Sequence, residues 1–276
     1  MQRIPVFVIS LANQPERRRA VAAHLDRLGI EFEIVDGVYG NDLPPEEVER
    51  VRGNRNLPLG HVGCCLSHLA AYRRIVDREL PAALVLEDDA ALRPRVRDLL
   101  RHGLDSAEFD ICLLDCEDRN NNVTVFYDAD DTETLAPGFV AHTLSDGPHT
   151  LHAALVSNAG ARTRLEHALP ILEPIDCYER SPVRLRIKAV VSPKLAGVAE
   201  VSRLSGTSGN DLHAGGTLPL ASLRGYPWFY PLRDLIKLRP LRMRRTRARM
   251  LAEGRLDPSR RWKTLPSGRE IIPRPE

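Results

Sequence analysis

A chain of 276 residues with 43% hydrophobic and 28% charged residues has room for one large α/β body, or for a body of about 200 residues with an appendage. No apolar run approaches the roughly 18 residues of a membrane span, and residues 1–10 carry too short an apolar stretch for a secretory leader. The net charge of +2 hides an asymmetry: from Trp228 onward 14 Lys and Arg face five Asp and Glu, so this tail carries +9 and residues 1–227 carry −7.

The chain opens with a predicted strand over Ile4–Ser10 and a helix over Gln14–Leu28, whose Val21, Leu25 and Leu28 share a face. Gly29 ends that helix, and Phe32–Val35 makes a second strand closing on Asp36-Gly37, so the start reads as βαβ. Residues 40–59 are loop-like, with at most a short acidic helix after Pro44-Pro45. Gly60–Glu79 predicts a long helix with Val62, Leu66, Leu69, Tyr72 and Val76 on one face. The buried strand Ala83–Leu86 follows and runs directly into Glu87-Asp88-Asp89.

Arg95–Leu104 then reads as a helix and Asp110–Leu114 as a strand, whereas residues 117–131 are polar and turn-rich. Strands over Phe139–Thr143 and Leu151–Val156 precede a helix over Asn158–Ala168, and Leu185–Val191 is the last expected strand of the body. Residues 202–216 read as a flexible loop or linker. The tail, residues 228–276, begins in an aromatic cluster spanning 226–231 and continues as a basic amphipathic stretch, Leu232–Leu251, interrupted by Pro240. That composition suits an anionic membrane surface; nucleic acid and a solvated arm are its rivals. The five cysteines form no C-x-x-C pair and read as reduced thiols, and the Cys112–Cys116 spacing matches no familiar zinc site.

The acid run is the strongest chemical signal. Three adjacent carboxylates repel one another, so either a carboxyl becomes neutral or a cation sits among them, and hard oxygen donors suit Mg²⁺ or Mn²⁺. In an extended segment Glu87 and Asp89 project to one side and Asp88 to the other, which makes Glu87 with Asp89 the expected metal pair. The competing reading is that Asp88 or Asp89 caps a helix beginning near Ala90. A strand end in an open α/β sheet is where ligands collect.

Read in order, the segments VISLANQPERRR (8–19), GIEFEIVDGVYG (29–40), GHVGCCLSHLAAYRRIV (60–76), ALVLEDDA (83–90), HTLHAALVSNAGAR (149–162) and PIDC (174–177) resemble glycosyltransferase family 25. That group contains bacterial lipooligosaccharide galactosyltransferases and the collagen galactosyltransferases. The resemblance spans roughly residues 4 to 205, and its most specific part is G-x-x-G-C-x-x-S-H followed by L-E-D-D. It implies a GT-A-type fold, a Rossmann-like mixed sheet flanked by helices, and transfer of a hexose with inversion from a nucleotide sugar, usually UDP-galactose. It also implies that the acidic motif holds a divalent ion against the donor diphosphate.

On that basis residues 1–227 form the catalytic domain, and Ser10, Leu11, Asn13, Arg17, Asp36, Ser67, His68 and Asp88 are the expected donor contacts, with Arg18 beside them. His68 shares its helix face with His61, two turns away, and is expected near the donor or buttressing the acid strand. Asp176 is the first candidate for the general base and Asp115 the second. Asp211 and His213 are candidates to complete the metal shell or to close over the donor. The motif begins with Glu87 where a generic D-x-D has Asp. Collagen-modifying relatives carry a secretory signal and a longer chain, so the expectation here is a cytoplasmic enzyme acting on a lipid-linked saccharide, peripheral at the inner face of the membrane, without nucleic acid as partner. The alternative function is a glycosyltransferase-like scaffold that binds without turnover.

Overall fold

The computed structural model describes residues 3–116, 125–147, 150–178, 181, 183–199, 239–265 and 271–272. The expected loop at 202–216, with Asp211 and His213, and the aromatic cluster at 226–231 lie outside the described residues.

The βαβ opening is β1 (Val6–Leu11), α1 (Pro15–Arg27) and β2 (Glu33–Gly37), with β2 parallel to β1. A 3-10 turn at 40–42 and the short helix α2 (Pro45–Val51) lead to the long helix α3 (Leu59–Asp77). From α3 the chain enters β3 (Ala82–Glu87), parallel to β1 on the side opposite β2. The strand order therefore reverses at β1, and the carboxyl ends of β1 and β3 flank a topological switch point.

Both apolar runs are buried on two faces, as a central strand of a covered sheet must be. Phe7, Ile9, Ala83 and Val85 pack with Val62, Leu69, Tyr72 and Ile75 of α3, whereas Val6, Val8, Leu84 and Leu86 pack with Val21 and Leu25 of α1. Two glycines let α3 come close to the chain leaving β2. A Cβ on Gly63 would stand 2.4 Å from the Val38 carbonyl oxygen, and one on Gly40 would stand 1.8 Å from that of Leu59. This contact fixes the amino-terminal half of α3, and with it Cys64 and His68, beside the end of β3.

Beyond Glu87 the chain turns and enters β4 (Ala90–Leu92), then α4 (Val96–His102) and β5 (Ile111–Leu113). The structure excludes the competing reading of a helix beginning near Ala90: these residues pair antiparallel with β10 (Ala196–Ala199), which pairs in turn with β12 (Ile271–Ile272) in a three-stranded sheet. The remaining elements are β6 (Phe126–Ala136), β7 (Phe139–Leu144), β8 (Ala153–Ser157), α5 (Asn158–His167), β9 (Ile187–Ala189), α6 (Arg239–Ala252) and β11 (Trp262–Thr264). The main sheet is nine-stranded and mixed, in the order β11-β6-β7-β9-β5-β8-β3-β1-β2.

Much of β6 falls where the sequence predicts turns. Its acids deny it an apolar signature, yet they are met by charges from the end of the chain. Arg260 reaches Asp128 at 3.2 Å and Asp131 at 2.6 Å, Arg261 reaches Asp130 at 2.5 Å, and Arg255 pairs with Asp146. Strand β11 pairs antiparallel with β6, and Met250 and Leu256 are buried with Phe126. The described part of the basic segment is thus joined to the main sheet by backbone pairing, apolar contact and ion pairs. On α6, Arg244, Arg245 and Arg247 remain exposed.

Candidate functional site

Strands β2, β1 and β3 run parallel, and β8 is antiparallel to both β3 and β5, so β5 shares the direction of β3. One edge of the sheet therefore collects the carboxyl ends of four strands together with the entry to β8. Asp36, Ser10, Leu11, Glu87 and Asp115 all stand at or just beyond strand ends on that edge, and His152 immediately precedes β8.

The pairing of β3 with β8 sets the centre of the site. The Glu87 N–H donates to the His152 carbonyl at 2.9 Å, placing the two side chains together. Glu87 Oε2 lies 3.2 Å from His152 Nδ1, and Oε1 lies 3.2 Å from His68 Nε2. Burial pushes the Glu87 carboxyl up, but His152 and then His68 outweigh it and hold it well below the usual carboxylate range. Glu87 is therefore a carboxylate with an imidazole at each oxygen.

Asp88 and Asp89 occupy the turn, not an extended strand, and both are 6% exposed. Asp88 accepts from Ser10 Oγ at 2.8 Å and from Arg17 Nε at 2.8 Å, with a second bond from Arg17 Nη2. Its charge is thus answered inside the protein. Asp89 differs: Arg17 Nη2 and His152 Nδ1 each stand 3.8 Å away, and its Oδ1 is buried without a hydrogen bond. A buried carboxylate oxygen in that condition is costly, and a cation is one way to satisfy it.

Among the described residues two sets of donor atoms converge, each within 4.8 Å of one another: Glu87, Asp89 and His152, and Cys64, His68 and Glu87. The turn preserves the expected pairing of Glu87 with Asp89. His152 and Cys64 were not singled out from sequence, because each joins the acids through tertiary structure. His152 lies 65 positions from Glu87, and only the register of β8 on β3 reveals their proximity.

Arg17 serves Asp88, and its guanidinium is held above its ordinary value: burial opposes the charge, but the bond to Asp88 prevails. Arg18 bonds the Ser10 carbonyl at 2.9 Å and Asp36 at 2.6 Å, tying the end of β1 to that of β2. Leu11 is half-buried and Asn13 exposed, both at the mouth of the switch point. The Ser67 hydroxyl is occupied within the protein, accepting from the Val38 N–H at 2.8 Å and donating to the Gly63 carbonyl at 2.6 Å, while His68 is fully buried against Glu87. Both therefore brace the site from α3, and His61 belongs to neither donor set.

Asp115 is 1% exposed, whereas Asp176 is half-buried in the loop after α5. Arg164, stacked 5.4 Å from the Tyr178 ring centre, donates to the Ile175 carbonyl at 3.0 Å and pins that loop next to Asp176. Asp176 lies close enough to α3 that its charge helps raise the Cys64 thiol, after burial and Glu87. None of the five cysteines, all among the described residues, is joined in a disulfide. Among the described residues no helix is long and apolar enough to cross a membrane.

Residues 3–133 match the family described as Glycosyltransferase family 25 (LPS biosynthesis protein). Procollagen galactosyltransferase 1-A of Xenopus laevis is 29% identical over 193 residues, covering 64% of this chain and 30% of its own length. Procollagen galactosyltransferase 1-B of the same organism is 30% identical over 200 residues, covering 64% and 31%. Inactive glycosyltransferase 25 family member 3 of Homo sapiens is 36% identical over 115 residues, covering 37% and 19%. The chain spans about a third of the length of the first two relatives.

Proposed function

With residues 3–133 belonging to glycosyltransferase family 25, we propose that this protein is a metal-dependent, inverting hexosyltransferase of GT-A type that moves galactose from UDP-galactose onto a lipid-linked saccharide. The product would be a cell-surface glycan of the lipopolysaccharide or lipooligosaccharide kind. The observation that carries this reading is the convergence of Glu87, Asp89 and His152 beside the switch point between β1 and β3.

The donor set fits Mn²⁺ or Mg²⁺: two carboxylates and one imidazole, with a buried Asp89 oxygen lacking any hydrogen bond. A divalent ion held there supplies the positive charge that offsets the charge growing on the departing diphosphate. The protein's own residues do the rest. Arg17 neutralises Asp88, leaving Glu87 and Asp89 as the anionic pair that faces the ion. Ser10, Leu11 and Asn13 line the nucleoside side, where Arg18 holds Asp36 at the neighbouring strand end for the ribose or uracil. Asp176 accepts the proton of the acceptor hydroxyl as that oxygen attacks the anomeric carbon from the face opposite UDP, which inverts the centre. Asp176 is favoured over Asp115 because a base must meet its substrate, and Asp115 is 1% exposed.

We assign the protein to the cytoplasmic face of a membrane on the strength of α6, whose Arg244, Arg245 and Arg247 are exposed without carboxylate partners among the described residues. The deciding experiment is calorimetric titration with UDP and UDP-galactose, with and without Mn²⁺, followed by release of UDP in the presence of saccharide acceptors. Mn²⁺-dependent binding with turnover supports the proposal. Binding without transfer or donor hydrolysis across a broad acceptor panel identifies a scaffold; one human relative carries the word inactive in its name. No nucleotide binding overturns both.

A further inference from the structure

The Glu87 carboxylate has a second side, and the chemistry there is different. Cys64 and His68 are four residues apart on α3, so both leave the helix on one face, toward the end of β3. The Cys64 Sγ, a His68 ring nitrogen and a Glu87 carboxylate oxygen lie within 4.8 Å of one another. His68 presents Nε2 to Glu87 Oε1 at 3.2 Å, while its Nδ1 is backed by the Tyr72 hydroxyl at 3.5 Å. Metal-ligating imidazoles are usually oriented in this way, through a partner on the far nitrogen. His152 takes the other oxygen, Oε2, so the two donor sets meet at one carboxylate without sharing an oxygen.

We propose that Cys64, His68 and Glu87 form a second ion site, for a borderline divalent cation of the zinc class, held between α3 and the end of β3. Sulfur, nitrogen and carboxylate donors select Zn²⁺ or Co²⁺ over Mg²⁺ and Ca²⁺, which take oxygen. Three protein ligands satisfy all but one position of a tetrahedral ion and leave that position open. Entry is provided by Cys64 and Glu87, which are half-buried, whereas His68 is fully enclosed. On binding, the thiol gives up its proton to solvent and the ion takes the thiolate. The zinc-class site shares Glu87 with the donor-site reading but draws its other two ligands, Cys64 and His68, from outside that set.

The test is titration of the metal-stripped full-length chain with Co²⁺, following the near-ultraviolet thiolate-to-cobalt charge-transfer band. The wild type and Asp89→Asn both develop the band, and stoichiometric Zn²⁺ erases it. Cys64→Ser, folded by circular dichroism, lacks it, and His68→Asn weakens Co²⁺ binding by at least about tenfold. Absence of the band in the wild type overturns the site. So does a full band in Cys64→Ser, which would assign it to one of the other four cysteines, or its loss in Asp89→Asn. Should Cys64→Ser not fold, unchanged Co²⁺ affinity in folded His68→Asn serves as the overturning result. Failure of the donor-site reading appears separately, as absent UDP binding with the cobalt band intact.

Discussion

Two acid-rich runs, Glu87-Asp88-Asp89 and Asp128-Ala129-Asp130-Asp131, lie in the same sheet and are treated oppositely by the fold. The first stands at the end of a central strand, walled by α1, α3 and β8. Only one guanidinium, that of Arg17, comes within 4 Å of its aspartates among the described residues. The second lies near the sheet border, in a stretch of β6 with shifted register, where Arg260 and Arg261 arrive from the C-terminal segment. The second run even contains a D-x-D, yet among the described residues it belongs to no donor set. What separates a metal-competent cluster from a docking strip is therefore its place on the strand and its supply of counter-charge, not its density of acids.

The sharpest way to break that contrast is a matched pair of substitutions. Asp89→Ala should weaken Mn²⁺-supported UDP binding by about a hundredfold or more, since loss of a ligand exceeds loss of an outer partner, while leaving the circular dichroism spectrum intact. Asp130→Ala should leave binding unchanged. Equal losses in calorimetric titrations of the two variants would erase the distinction between the runs.

Comparable in size is the cost of removing the counter-charge. Arg17 is 11% exposed and Asp88 8% at the side chain, so Arg17→Ala removes the charged partner of a buried carboxylate and should destabilise the fold by about 3 kcal/mol in urea unfolding. A change below about 1 kcal/mol would mean that Asp88 is solvated or neutral, and that Arg17 is free for a phosphate after all.

That last alternative shows where reading the sequence stopped. The βαβ opening, α3, β3 and α5 were legible because their apolar spacing is dictated by burial on known faces, and Glu87 with Asp89 was legible because a strand end is a fixed place in such a sheet. Arg17 was expected among the donor contacts, since nothing local shows that its nearest carboxylate, 71 positions on, is Asp88. His152 and Cys64 escaped for the same reason: their chemistry depends on the β8 register and on the Gly40–Gly63 contact. Ala90–Leu92 looked helical because alanine favours helices, but pairing with β10 overrides so short a preference. Strand β6 was hidden because its partners are arginines roughly 130 residues later.

At that second run the apolar contact should outweigh the charges. Phe126 is 2% exposed and packs with Met250 and Leu256, so Phe126→Ala should cost about 3 kcal/mol and render the C-terminal segment sensitive to limited proteolysis. Arg260→Ala should cost less than about 1 kcal/mol, because its guanidinium is 42% exposed, and the difference should shrink as salt is raised. If Arg260→Ala instead releases the segment as readily as Phe126→Ala, the docking is electrostatic and the comparison needs redrawing.

The smallest effect is the pH dependence of that docking, and its sign follows from Asp128. Burial raises its carboxyl, but the N–H groups of Asp130 and Asp131 and then Arg260 outweigh burial and hold it below its ordinary value. A carboxyl depressed in the folded state contributes stability that is fully present above its unfolded value of about 4 and is lost as pH falls through the folded one. Unfolding measured from pH 6 to pH 3 should therefore lose stability less steeply in Asp128→Asn than in the wild type, with the two curves converging at the acid end. Glu87 is depressed in the same direction and persists in both proteins, so it cancels in the difference. Parallel curves would show that Asp128 titrates alike in the folded and unfolded chain, leaving Phe126 and the β6–β11 pairing to hold the segment without it.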